Sequence, residues 1–218
     1  MADNPAAKVT ALRAESGTRR AFTLPEVKSI LANASTEWRG MILAGFYTGQ
    51  RLKDIVSQTW ANVDLSEAQI TLITSKTGRR QIIPLAKPLL DYLEKLPASD
   101  NPTAPIFPGA YPLATRAGGI AMLSRQFHGI LVAAGMAKAR LANHGSAGKG
   151  RDTARETSEI SFHSLRHTAT SLLKRAGVPE AVARDLSGHE SAEISRHYTH
   201  IDEDTKRRAI AKLPGLFA

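Results

Sequence analysis

The chain has 218 residues, enough for one large domain or a domain with a subdomain, and 42% of them are hydrophobic, which is ample for a packed core. Lysine and arginine number 29 against 20 aspartate and glutamate, so the net charge of +9 favours a polyanionic partner, nucleic acid first of all. The lack of cysteine excludes disulfides, a thiol nucleophile and cysteine-based metal sites. No apolar run approaches a membrane span and no signal peptide opens the chain, so we expect a soluble intracellular protein.

The first predicted elements are helices. Residues 1–21 are polar, rich in alanine and without periodicity, which predicts a disordered arm or the remnant of a linker. Thr23-Leu-Pro-Glu26 is a capping box with proline near the first helical position, so we expect a helix to begin there. A second helix is predicted over "TEWRGMILAGFYTG" as far as Gly49, and a short third one over residues 51–58.

The period of the hydrophobic pattern then changes from helical to alternating. The run "AQITLITSKTGRRQIIPL" contains two β-rich stretches around a Lys-Thr-Gly turn, which predicts a hairpin. The preceding "WANVDL" is a candidate third strand. We therefore expect one small antiparallel sheet of three strands.

Helices return in the second half of the chain. They are predicted at "AKPLLDYLEKL" and "AGGIAMLSRQFHGILVAAG", with a proline-rich loop over residues 97–112 between them. Residues 136–158 are small, polar and basic, which predicts a mobile loop. Four short helices follow, at "FHSLRHTATSLLKRAG", "PEAVARDLSG", "SAEISRHYTH" and "DEDTKRRAIAKL". The expected fold class is α+β, a mostly helical domain with a small three-stranded antiparallel sheet.

The side chains that could carry chemistry lie near these helices. His163 and Arg166 are three residues apart in "HSLRH", which places them on one face of a helix. His189 follows a helix-breaking glycine and precedes Tyr198 by nine residues.

Two further candidates lie upstream. In "YTGQRLKD" Arg51 opens a helix, and Asp54 lies one turn later, where it could hold the guanidinium in place. Lys76 lies in the predicted turn of the hairpin.

The order of arginine, β-turn lysine, His-x-x-Arg, Gly-His and tyrosine resembles the catalytic domain of the tyrosine recombinases, the phage integrase family of site-specific DNA recombinases. The motif "HSLRH" followed by "LSGHESAEISRHYTH" is the most specific part, whereas "TGQR" and the lysine alone are weak. The resemblance spans residues 22–213 and implies a catalytic role for six residues: Arg51, Lys76, His163, Arg166, His189 and Tyr198.

Small departures from the family pattern leave every catalytic group in place. Leu-Ser-Gly-His stands for the usual Leu-Gly-His, and Asp54 stands where many members have glutamate. We expect residues 22–218 to form the catalytic domain. Members usually carry a helical DNA-clamping domain before it, and no such domain precedes residue 22. We therefore expect either a truncated or a minimal form, which does not recognise DNA sites tightly by itself.

The residue types suit attack on a phosphodiester. Guanidinium groups stabilise the charge that develops on nonbridging oxygens, and a tyrosine hydroxyl, with a pKa of about 10, needs a neighbour to take its proton. His163 is the candidate base, Lys76 the candidate acid for the leaving 5′-oxygen, and His189 a ligand of the phosphate. The 3′-phosphotyrosyl product keeps the energy of the ester, so no cofactor, ATP or metal is implied.

The resemblance also implies partners. They are duplex DNA recombination sites, other copies of the chain in a homotetramer, and accessory DNA-bending proteins, in the bacterial cytoplasm at the nucleoid and with no membrane contact. Side chains expected to bind DNA are basic and lie in the hairpin and in the mobile loop: Arg79, Arg80, Lys149 and Arg151.

Alternative readings stay open. Taken singly, each of these side chains is more often a packing or surface residue, and only their joint order favours the enzyme. The stretch "TSLLKRAGVPEAVARDLSGH" also fits a helix-turn-helix, and the protein would then be a non-catalytic DNA-binding regulator. His163 and His167 have the i, i+4 spacing of a metal hydrolase, but Ser164 stands where zinc proteases of that kind place glutamate. A type IB topoisomerase would use chemistry similar to that of the recombinases.

The apolar tail "LPGLFA" has two interpretations of equal weight. It could dock on a neighbouring subunit, or it could complete the core of its own chain.

Overall fold

The protein is described by a computed structural model that covers residues 19–75, 78–97, 99, 101–139, 158–188 and 201–217. Its helices are α1 (Leu24–Ala32), α2 (Thr36–Thr48), α3 (Leu52–Val56), α4 (Lys87–Glu94), α5 (Tyr111–Thr115), α6 (Gly119–Ala133), α7 (His163–Arg175), α8 (Glu180–Ser187) and α9 (Glu203–Ile210). The strands are β1 (Val63–Asp64), β2 (Gln69–Ile73) and β3 (Arg80–Pro84), and a 3-10 turn covers Trp60–Asn62. The predicted fold class is confirmed.

Helix α1 begins where its capping box predicts. The Thr23 hydroxyl accepts a hydrogen bond from the backbone N–H of Glu26, and the Glu26 carboxylate accepts one from the N–H of Thr23. Just before this helix, the Phe22 N–H donates to the Thr168 hydroxyl of α7 at 2.8 Å. The start of the described chain is thereby held against the helix that carries His163 and Arg166.

Helix α2 forms the centre of the core. It is buried along most of its length and packs against α7, α4 and α3, so it lacks the polar face of a surface helix. Trp38 at its start contacts Phe127 of α6 and Phe162 just before α7, with ring centroids 5.8 and 6.3 Å apart. The ends of α2 and α7 are therefore fixed relative to one another.

The sheet is antiparallel in the order β1-β2-β3. In the hairpin Ile70 pairs with Ile83 and Ile73 pairs with Arg80, as the alternating pattern predicts. The predicted strand at "WANVDL" is shorter than expected: a 3-10 turn comes first, because the Asn62 side chain accepts the Thr59 N–H at 2.9 Å and curls the chain.

Two further segments differ in detail from the predictions. The proline-rich loop 97–112 leads into the short helix α5, which has a proline in its first turn. The tail returns to its own core, where Leu213 and Leu216 are buried, while Phe217 is 57% exposed.

Most of the predicted loop 136–158 and the whole of the predicted helix 191–200 lie outside the described residues. Within the described ranges, no helix is both long and apolar enough to cross a membrane.

Candidate active site

Arg166 lies in the first turn of α7 with only 1% of its surface exposed. Its guanidinium Nη1 donates to the carbonyl oxygen of Gly49 at 3.1 Å. Burial and the positive charge of Arg51 lower the pKa of Arg166 to about 10, against the opposing effect of Asp54. Arg166 therefore stays charged at neutral pH in an environment that disfavours its charge.

Arg51 is brought next to this group by the sharp end of α2. Gly49 caps α2 in the left-handed conformation at φ 64°, and Arg51 is the residue immediately before α3. Between them, Gln50 is 2% exposed and donates through Nε2 to the carbonyl of Leu186 in α8 at 2.9 Å. The backbone around Arg51 is thus anchored both to the core and to α8.

The guanidinium of Arg51 is only loosely paired. Its Nη1 atom is buried and makes no hydrogen bond to any described residue, and the nearest Asp54 oxygen, Oδ2, is 4.0 Å away. That distance permits attraction between the charges but is too long for a hydrogen bond. Within the described residues, Arg51 is therefore a partly buried cation with unused hydrogen-bonding capacity.

Asp54 makes its hydrogen bond to the hairpin instead. The carboxylate is 2% exposed, and its Oδ1 accepts the backbone N–H of Ser75 at 2.8 Å. Ser75 directly precedes Lys76 in the chain. The sequence predicted that Asp54 holds the Arg51 guanidinium, and the two groups are 4.0 Å apart. The structure shows in addition that Asp54 binds the hairpin through the Ser75 N–H.

His163 is the first residue of α7, one turn from Arg166. Burial, as the largest cause, and the positive charges of His167, Arg166, Arg19 and Arg51 together lower its pKa to about 4. The His163 ring meets the His167 ring edge to face, with centroids 5.0 Å apart. A neutral imidazole at physiological pH can accept a proton, which is what a base requires.

The two hairpin arginines differ from each other. Arg79 forms an ion pair and hydrogen bond with Asp185 of α8. Arg80 is exposed and has no ion pair with a described residue. The sequence did not point to Asp185, which lies 106 residues from Arg79, because a helical aspartate carries no signal of a distant partner.

Five predicted site residues lie outside the described residues: Lys76, Lys149, Arg151, His189 and Tyr198. Their neighbours in the chain are described. Helix α8 ends at Gly188, in the left-handed conformation at φ 66°, and α9 begins after the cap Asp202. The structure thus brings together Arg51, Asp54, His163 and Arg166, and the roles of the other residues stay predictions. Among the described residues, no three His, Asp or Glu side chains gather closely enough to hold a metal ion.

Comparison with known proteins gives a consistent result. The sequence model described as "Phage integrase family" matches residues 20–205. The tyrosine recombinase XerC of Xylella fastidiosa strain 9a5c is 27% identical over 212 residues, which cover 93% of this chain and 63% of XerC. This chain therefore spans less than two thirds of that relative.

Solved structures share the fold. The integrase from mycobacterium phage Brujita superposes with a TM-score of 0.67 at 20% identity, covering 99% of this chain and 65% of that one. A lambda integrase tetramer bound to a Holliday junction gives a TM-score of 0.58 at 19% identity, covering 93% of this chain and 55% of that one.

Proposed function

Because this chain belongs to the phage integrase family, as its motifs predicted, we propose that it is the catalytic domain of a tyrosine recombinase that cuts and rejoins duplex DNA. One observation supports this above the others. Two guanidinium groups, Arg51 and Arg166, lie close enough to depress the pKa of the neighbouring His163, and Arg51 keeps a buried donor without a hydrogen bond to a described residue. Such a pair of cations can bind the two nonbridging oxygens of a phosphodiester, which share one negative charge that grows in the transition state.

In the proposed reaction the hydroxyl oxygen of Tyr198 attacks the scissile phosphorus. A tyrosyl O–P bond forms and the bond from phosphorus to the 5′-oxygen breaks, leaving a 3′-phosphotyrosyl ester. Arg51 and Arg166 bind the nonbridging oxygens, whose charge grows in the transition state. The ester is then attacked by the 5′-hydroxyl of another strand, and the same bonds are exchanged in reverse.

Two protons move in this step. The phenol proton passes to His163, whose low pKa leaves it neutral and able to accept. Lys76 gives a proton to the leaving 5′-oxygen, and His189 binds the phosphate beside the arginines. Because one phosphate ester replaces another, the reaction needs no energy source.

The partners follow from the same proposal. The lambda integrase structure is a tetramer bound to a Holliday junction, and we propose that this chain also works as a homotetramer on two duplex sites, at the bacterial nucleoid. Accessory DNA-bending proteins would bring the two sites together. Arg80, exposed beside the hairpin turn, would contact the DNA backbone in this assembly.

A nicked suicide substrate tests the proposal directly. The wild-type protein should form a covalent protein–DNA band on a denaturing gel, and Tyr198→Phe should form none while binding DNA with nearly unchanged affinity, since only a hydroxyl is lost. Tyr111→Phe, a change of the same kind in α5, is the control and should form the band normally.

A band formed by Tyr198→Phe would overturn the nucleophile assignment. Salt-sensitive DNA binding by a wild-type protein that forms no band would instead favour the non-catalytic DNA-binding regulator.

A further inference from the structure

Asp185 in α8 is the meeting point of three separate elements. Its carboxylate pairs through Oδ1 with the Nη2 atom of Arg79, the residue just before β3, and its Oδ2 lies 3.0 Å from the Nζ atom of Lys206 in α9. The side chains of Asp185 and Lys206 are each only 13% exposed. Partly buried, charge-assisted contacts of this kind hold geometry better than exposed ion pairs do.

Hydrogen bonds to backbone carbonyl groups reinforce the same junction. The buried Gln81 side chain donates through Nε2 to the backbone carbonyl of Asp185 at 2.6 Å. The Lys206 ammonium also lies 3.5 Å from the carbonyl oxygen of Ile82. Strand β3 is therefore fastened to α8 and α9 at successive residues, with the Asp185 carboxylate at the end nearest the hairpin turn.

The elements that meet at Asp185 lead to three predicted catalytic residues. Arg79 follows Lys76 by three residues, Asp185 precedes His189 by four, and α9 begins five residues after Tyr198. Each of these predicted catalytic residues therefore lies within five residues of an element that meets at this junction.

The turn that carries Lys76 is held on both sides. Before it, the Ser75 N–H donates to Asp54 of α3 at 2.8 Å, and after it, Arg79 pairs with Asp185 of α8. The backbone of the turn is closed by the Thr74 N–H, which donates to the Arg79 carbonyl at 2.9 Å. Removal of either carboxylate would leave one side of the turn without its anchor.

We propose that Asp185 is a positioning residue, which fixes the hairpin turn so that Lys76 can deliver its proton to the leaving 5′-oxygen. The inference rests on the proposed recombinase function and assigns no contact between Asp185 and DNA. It also gives Arg79 a new role. Because its guanidinium is already held by Asp185, Arg79 positions the turn more than it binds phosphate.

The test compares two suicide substrates, one ordinary and one with sulfur in place of the bridging 5′-oxygen. A thiolate leaves without a proton, so a defect in proton delivery disappears on the sulfur substrate. Asp185→Asn should cleave the ordinary substrate about ten- to a hundred-fold more slowly, and should come within about three-fold of wild type on the sulfur substrate. Lys76→Ala should show the same pattern and serves as the reference.

Two further variants make the result specific. Arg79→Gln removes the other half of the pair and leaves Lys206 on Asp185, so it should reproduce the sulfur-rescued defect even if Asp185→Asn does not fold. Asp91→Asn removes the carboxylate of an exposed pair with Lys87 in α4 and should cleave both substrates normally. Affinity of Asp185→Asn for DNA should not fall, because the charge removed is negative.

The outcomes separate this inference from the proposed function. If the wild-type protein forms no adduct on either substrate, the recombinase proposal fails. If the wild-type protein is active and the Asp185 and Arg79 variants are normal, or are equally slow on both substrates, the proposal for Asp185 is overturned.

Discussion

The cations of the helical body and those of the hairpin junction differ in how closely they contact a carboxylate. In the body, Arg166 is buried against a neutral carbonyl group, and Arg51 lies beside it with its nearest carboxylate oxygen 4.0 Å away. At the junction, Arg79 and Lys206 both contact the carboxylate of Asp185 directly. Each region has two cations and one carboxylate, but only at the junction do both cations contact the carboxylate directly.

The difference suits the body to binding an anion and the junction to holding secondary-structure elements together. Adjacent cations in a low-dielectric interior destabilise the fold, since each disfavours the charge of the other. An arrangement of that kind is useful only if an anion completes it. At the junction, both cations already have a carboxylate oxygen as a hydrogen-bond acceptor.

The largest effect should come from changing the shape of a cation in the body while keeping its charge. Arg166→Lys should lower the rate of DNA cleavage by about 100- to 1,000-fold, because an ammonium group cannot reproduce the planar fork that binds two oxygens. Single-turnover cleavage with saturating protein measures the rate.

Two matched variants show whether the effect belongs to the site. Arg175→Lys, at the exposed end of the same helix, should be neutral. Arg79→Lys at the junction should retain most activity, since lysine can still pair with Asp185. Equal losses for Arg166→Lys and Arg79→Lys would contradict the contrast between the regions.

Burial and the cations around His163 should also be visible in the titration of its ring. Its ring signal in NMR should change with a midpoint near pH 4, far below the ordinary value of 6.5, because burial and the surrounding cations disfavour the imidazolium. Between these two pH values the unfolded chain binds more protons at this site than the folded protein does, so the contribution of His163 to stability falls as pH falls.

His163→Gln assigns the signal by removing it. His167→Phe keeps a ring against His163 but removes a positive charge, so it should raise the midpoint. A midpoint near 6.5 in the wild-type protein would show that the site does not disfavour the imidazolium form of His163.

A smaller difference is expected between the two hairpin arginines. Arg80→Gln should reduce the slope of log affinity against log salt by about one, as the loss of one phosphate contact does. Arg79→Gln should change the slope less, because its charge is already balanced by Asp185. Binding isotherms at several salt concentrations measure both slopes, and a larger change for Arg79 would reverse the assignment.

Local signals in the sequence predicted most of the fold. The capping box at Thr23, the glycine that ends α2 and the alternation in the hairpin each act over a few residues, and each appears where the sequence indicated. The family motif predicted that Arg51, His163 and Arg166 act together, and the structure places them together.

Polar contacts between residues far apart in the chain could not be predicted from such local signals. The bond from Ser75 to Asp54 joins residues 21 apart, and that from Arg79 to Asp185 joins residues 106 apart. In the sequence, Asp54 and Asp185 look like any aspartate on the surface of a helix, because their partners are set by tertiary packing. The short helix α5 was missed for a different reason, because the five prolines of residues 97–112 favoured a loop.

The contact between the ends of α2 and α8 limits how this protein can evolve. Gly49 has a positive φ, and a β-carbon there would lie 3.2 Å from the Cβ atom of Ser187. A substitution would therefore be strained in its backbone and crowded by its neighbour at once. Two residues before Arg51, the chain therefore tolerates few side chains. Exposed positions such as Arg80 are expected to accept more changes, while position 49 stays glycine.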